Sequence, residues 1–184
     1  EDNDISHWGR FGHTSSLTGW EIGVNSDSAI SARCNDSWRL ERLIVQPNRL
    51  HHPRYASNPW DEGHPGGSNA IFFEDCGGNH VWRYNEIFSE DTRYFMDPIG
   101  GGENFSDMGF PNSDSDIYGN LIQHAWDDAI ESEGANRNVR IWGNYFDLTT
   151  WGVASSSTSV GPLYVFRIVY NRSRYSSVAV PDDD

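Results

Sequence analysis

Apolar and polar residues alternate over short segments of this chain, and the alternation returns at a constant interval. DIYGNLI around Asn120, RIWGNYF around Asn144 and YVFRIVY around Ile168 write one phrase three times, 24 residues apart. Each phrase has an apolar residue three positions before its central slot (Ile117, Ile141, Val165) and another two positions after it (Ile122, Phe146, Tyr170). Period-two alternation predicts strands. A period in the twenties with a strand inside each unit predicts stacked repeats, and one turn of a parallel β-helix fits that length.

The phrase recurs upstream at wider intervals, in WRYNEIF with Asn85 in the slot, in ERLIV with Arg42 and in EDNDIS with Asn3. This places Ile5, Ile44 and Ile87 in the same apolar column, and Trp82 in the one before it. Stacked repeats bury an apolar side only against their neighbours, so these columns are expected to face the core. An amide in the slot accepts from one repeat and donates to the next, which predicts an asparagine ladder through Asn3, Asn85, Asn120 and Asn144.

A second strand aligns just as well. SAISAR, NAIFFE, DPIGGG and DAIESE superpose on Ile30, Ile71, Ile99 and Ile130. Two positions before each isoleucine stand Ser28, Asn69, Asp97 and Asp128. Asp97 and Asp128 are therefore expected in one column on successive repeats, about 5 Å apart.

The repeats YNEI, YGNLI and WGNYF, with NRNVRI before the last, resemble the right-handed parallel β-helix repeats of the pectate-lyase-like superfamily. The resemblance covers essentially the whole chain as architecture. It implies an all-β fold, a right-handed parallel β-helix (solenoid), on a scaffold that carries lyases, glycoside hydrolases, epimerases, adhesins and structural proteins.

Length and punctuation complete the expected organisation. A chain of 184 residues reads as a single domain, 1–184. Excursions rich in Gly, Pro, His and Trp interrupt the repeats at about 7–19, 50–68 and 100–115, and they are expected on one flank as loops. An acidic tail covers about 176–184. Asn3 opens the chain as a ladder residue without its preceding strand, and nothing amphipathic follows Asn171. Uncapped ends are therefore expected, and with them end-to-end self-association. Cys34 and Cys76 fall within one residue of the column set by Arg42 and Asn85, which makes a disulfide between them sterically feasible; two buried thiols are the alternative.

Charge narrows the partners. The chain has 27 acidic residues against 13 basic ones, every base is Arg, and the net charge is −14. Nucleic acid is excluded as a partner, since binding it depends on cationic contacts to phosphate. No apolar run approaches 18 residues, so no membrane span is expected. Acidity of this kind suits a secreted or cell-surface protein. There is no GxSxG, P-loop or CxxC, which removes serine-hydrolase, nucleotide and thiol-redox readings.

The candidate chemistry lies around the acidic column. Asp97, Asp128, Asp127, Glu131 and His124 are the candidate catalytic residues, carboxylates serving as acid and base for glycoside cleavage. Asp97, Asp127 and Asp128 could alternatively hold calcium, as in the lyases that the fold resembles. Trp60, His64, Tyr94, Trp126, Arg93 and Glu133 are the candidate substrate-binding residues, the rings as sugar-stacking faces. Tyr118, Trp142 and Phe166 read instead as an exterior stack. The expected function is that of a secreted, carbohydrate-active protein, a hydrolase or lyase working on a polysaccharide in a flank groove. The alternative is a non-catalytic protein whose open repeats assemble into filaments.

Overall fold

A computed structural model describes residues 1–35 and 40–171. The acidic tail expected at 176–184 lies outside the described residues. Among the described residues the chain is all-β, with one short 3-10 turn at Trp60–Glu62. No helix among the described residues is long and apolar enough to cross a membrane.

Among the described residues every strand pairing but one is parallel, because the chain passes repeatedly in the same direction and lays each strand beside its counterpart from another pass. One five-stranded sheet takes Ile44–Val45, Val81–Arg83, Asp116–Tyr118, Val139–Trp142 and Leu163–Phe166 in chain order. A larger sheet has nine strands, beginning with Asn3–Ser6, Asn48–His51 and Glu86–Phe88. The long strand Leu121–Ser132 belongs to both halves of that sheet. Its first residues pair with Glu86–Phe88, and Ile130 pairs with Ile99 of Ile99–Gly101. Beyond lie Ile71–Glu74 and Ile30–Arg33. The exception is the antiparallel hairpin Phe11–Thr14 with Glu21–Gly23, which occupies most of the stretch expected as the 7–19 loop.

The apolar columns form as the alternation dictates. Ile5, Leu50, Ile87, Ile122, Phe146 and Tyr170 stand in one register. Val45, Trp82, Ile117, Ile141 and Val165 form a second. Ile30, Ile71, Ile99, Ile130 and Val153 form a third. Leu50, Trp82, Ile87, Ile99, Ile117, Ile122 and Ile130 are completely buried.

One slot differs from its expected position. The ladder runs through Asn48, whose Nδ2 donates to Asn85 Oδ1 at 3.0 Å, and not through Arg42, which sits exposed in a turn at φ 60°. Ile44 accordingly lies opposite Val81 and is 49% exposed, while Leu50 takes the core place. ERLIV carries the right apolar spacing, but only the amide six residues later can satisfy a buried corner; a guanidinium there would bring an unpaired charge into the core. With that correction the ladder is continuous. Asn3 donates to Asn48, Asn85 to Asn120, and Asn120 to Asn144, each at 2.9 Å. Each Oδ1 also accepts a backbone N–H from the preceding pass.

The disulfide forms, with Cα atoms 5.0 Å apart. It closes the strand pair in which Arg33 faces Glu74, so its register derives from those strands and not from the ladder slots. The exterior stack is also present. Tyr118 and Trp142 lie 4.3 Å apart and Trp142 and Phe166 6.0 Å apart, within 6° of parallel.

Candidate functional site

Asp97 and Asp128 come together where the long strand changes register. Backbone pairing runs from Phe95 N–H to His124 O, then Trp126 N–H to Phe95 O and, at the very next residue, Asp127 N–H to Met96 O, a break in the alternation of a regular strand. At the next residue a side chain takes over, and Asp128 N–H donates to Asp97 Oδ1 at 2.9 Å. The register of Leu121–Ser132 against Tyr145–Ser155 slips between Ala125 and Asp128. That irregularity lets consecutive carboxylates, Asp127 and Asp128, turn toward the same point, which alternation in a regular strand forbids. One oxygen from each of Asp97, Asp127 and Asp128 lies within 4.8 Å of the others.

Glu131 lies over Gly100, where an added Cβ would sit 2.8 Å from Glu131 Oε2 and 3.1 Å from its Cβ and would crowd the side chain from its place beside Asp97. Asn104 Nδ2 donates to Glu131 Oε1 at 2.7 Å, and Gly101 N–H to Oε2 at 3.4 Å. Asn104 is the site residue that the sequence reading missed. Its only signal was an NxS triplet inside the 100–115 excursion.

The carboxylates are buried and crowded, and both conditions favour the protonated form. Asp97, 1% exposed, is raised well above the ordinary carboxylate range, first by burial and then by Glu131, Asp127 and Asp128, with only the Asp128 N–H opposing. Burial, then Asp127, Glu131 and Glu133, push Asp128 up to about 8. Burial raises Glu131 to about 7 against the pull of its Asn104 and Gly101 donors. Asp127 is raised by burial and held back by His64.

Of the four acids Glu131 lines a cleft of about 400 Å³, together with His64, Pro65, Glu103 and Asn104, and the three aspartates lie buried behind it. Two of the expected excursions thus wall it. His64 Nδ1 donates to Pro65 O at 2.9 Å, which leaves Nε2 facing Asp127 Oδ2 at 3.5 Å. Trp60 pins this loop down: its Nε1 donates to Trp126 O at 2.7 Å and its ring meets that of His64.

Other expected site residues stand elsewhere. His124 accepts Ser89 N–H at Nδ1 and faces Asp91 with Nε2 at 3.2 Å, so its ring holds the neighbouring turn. Tyr94 and Trp126 pack against each other, 3% and 5% exposed, and offer no free ring face. Arg93 is exposed in a tight turn with Glu90 and does not line the cleft. Glu133 is half-buried and does not line the cleft. Trp151, opposite Asp128 in register and 56% exposed, is the large ring that does reach solvent beside the acids.

Three hard carboxylates whose oxygens lie within 4.8 Å fit the donor chemistry of calcium. No protein-family model, curated protein or solved structure matches the chain.

Proposed function

We propose that the chain is a right-handed parallel β-helix whose cleft binds and cleaves a polysaccharide at the carboxylate cluster, in an extracellular setting. The observation that carries this reading is the convergence of four carboxylates (Asp97, Asp127, Asp128, Glu131) beside an open cleft walled by two long excursions. Such pairs of carboxyl groups, one holding its proton and one ionised, perform glycoside cleavage. Asp128 is the proton donor to the leaving oxygen, and Glu131, oriented by Asn104, is its partner. Burial first, and then the charges of Asp127 and Glu133, keep both proton-hungry. Were calcium to bind instead, Asp97, Asp127 and Asp128 would hold it in their ionised form, and it would supply neutralising positive charge at the cluster.

A panel of soluble polysaccharides, assayed for new reducing ends and for unsaturated products, tests the reading. Asp128→Asn should lower turnover at least about 100-fold while leaving the circular dichroism spectrum intact. Undiminished turnover refutes the assignment. Absence of any turnover, together with filaments in negative-stain images, would favour the non-catalytic alternative.

A further inference from the structure

We infer that the cleft continues into a second pocket on the same flank, and that the groove they form takes a run of uncharged sugar units, a neutral polysaccharide. The inference rests on the reading of this cleft as a polysaccharide site and names its substrate class.

Continuity is the first argument. The second pocket, of about 410 Å³, has Arg10, Ser26, Ser28, Ser31 and Arg33 in its lining. Ser26 lines the cleft as well. Arg33 joins the two again, because its guanidinium pairs with Glu74 at 2.9 Å and lies 5.2 Å from the centre of the Phe72 ring, and both of those residues line the cleft. The floor therefore crosses four neighbouring strands, Ile30–Arg33, Ile71–Glu74, Ile99–Gly101 and Leu121–Ser132. Ser31, Phe72, Gly100 and Glu131 each follow the isoleucine of the third core column, so they share one outward row. Three inter-strand steps put Ser31 about 14 Å from Glu131. That span exceeds one sugar ring, so a chain engaged at Glu131 lays further units toward Ser31.

Charge supplies the second. Both arginines that line the groove have a fork already engaged. Arg10 gives Nε and Nη2 to Asp27, while Arg33 gives Nη1 to Glu74 and Nη2 to Ser26 Oγ. A uronate or sulfate is held by such forks, and in this groove it would also meet Glu103 and Glu131. Apart from His64, the other polar side chains of the lining are uncharged: Asn25, Ser26, Ser28, Ser31 and Asn104. Hydroxyls and amides both donate and accept, which matches the hydroxyls of a neutral sugar.

The third argument is an unspent hydroxyl. Ser28 lines the second pocket, and its Oγ is shielded from solvent without a hydrogen-bond partner among the described residues. Buried polar groups are ordinarily satisfied, and a sugar hydroxyl seated in the pocket answers this deficit.

Titration calorimetry of the full chain in EDTA would compare dimers and hexamers of cello-, xylo- and manno-oligosaccharides with hexagalacturonate. At least one neutral hexamer should bind at least about tenfold tighter than its own dimer, the gain that two or three added hydrogen bonds supply. Its affinity should not change as NaCl rises. Ser31→Phe, at an exposed position on the floor, plugs the second pocket and should remove that gain while leaving the dimer's affinity as it was. Ser28→Ala should weaken the hexamer about threefold or more without lowering the melting temperature, since the hydroxyl it removes has no partner in the free protein. Preference for hexagalacturonate, hexamers no tighter than dimers, undiminished hexamer binding by Ser31→Phe, or no binding to any of the sugars would overturn the inference. Reducing-end release on the same samples separates it from the catalytic reading. Length-dependent binding without products sinks the catalysis alone, and products from hexagalacturonate but from no neutral chain sink the substrate class alone.

Discussion

Removing one buried carboxylate should make the protein more stable, and only at neutral and alkaline pH. Asp128 is 8% exposed and its folded-state pKa is about 8 against 3.8 for a free carboxyl. Between those values the folded chain holds a proton that the unfolded chain has released, so stability falls as pH rises through that window and levels off above about 8. At 1.36 kcal/mol per pKa unit, the roughly four-unit difference amounts to about 5 kcal/mol at most between pH 4 and pH 8. Glu131, raised to about 7, acts in the same direction. Asp128→Asn keeps the shape of the side chain and has no charge to bury. In urea denaturation with EDTA present, the wild type should lose several kcal/mol between pH 5 and pH 8.5. The variant should lose markedly less, overtaking the wild type at the higher pH. A wild-type stability that is flat or rising over this interval, or a variant that runs parallel to it, would refute the account of the cluster as uncompensated.

Two further predictions concern the scaffold. Asn120→Ala deletes the donor to Asn144 Oδ1 and Trp82 O and the acceptor of Asn85 N–H and Nδ2, all buried, and should cost about 3–5 kcal/mol in urea unfolding. The same change at the exposed Asn3 should cost under about 1 kcal/mol; equal costs would contradict the ladder's role. At Gly101 an added Cβ would collide with Phe73 O and the Phe110 side chain, so Gly101→Ala should destabilise by about 3 kcal/mol or more. Gly102→Ala, which meets only the Glu74 side chain at 3.2 Å, should be nearly neutral in the same melt.

The sequence by itself determined the parallel stacking, its three apolar columns and the ladder at Asn3, Asn85, Asn120 and Asn144, because period-two alternation and a repeated slot are local properties of the chain. It also placed Asp97 and Asp128 in one column, since the isoleucine alignment is a statement about register. The tertiary structure alone decided the rest. Between Asn3 and Asn85 the passes differ in length, and an apolar phrase recurs at Ile44 without marking the corner, so only the hydrogen bonds identify Asn48. The sequence names His124, Tyr94 and Trp126 as reactive or sticky residues, but in the fold His124 holds a turn through Ser89 and Asp91 while Tyr94 and Trp126 pack against each other. Asn104 reaches Glu131 through a loop whose path no local pattern specifies. The raised proton affinity of the acids is likewise a property of the assembly: it comes from burial and from neighbours up to 34 residues away in the chain, which only folding brings within Coulombic reach.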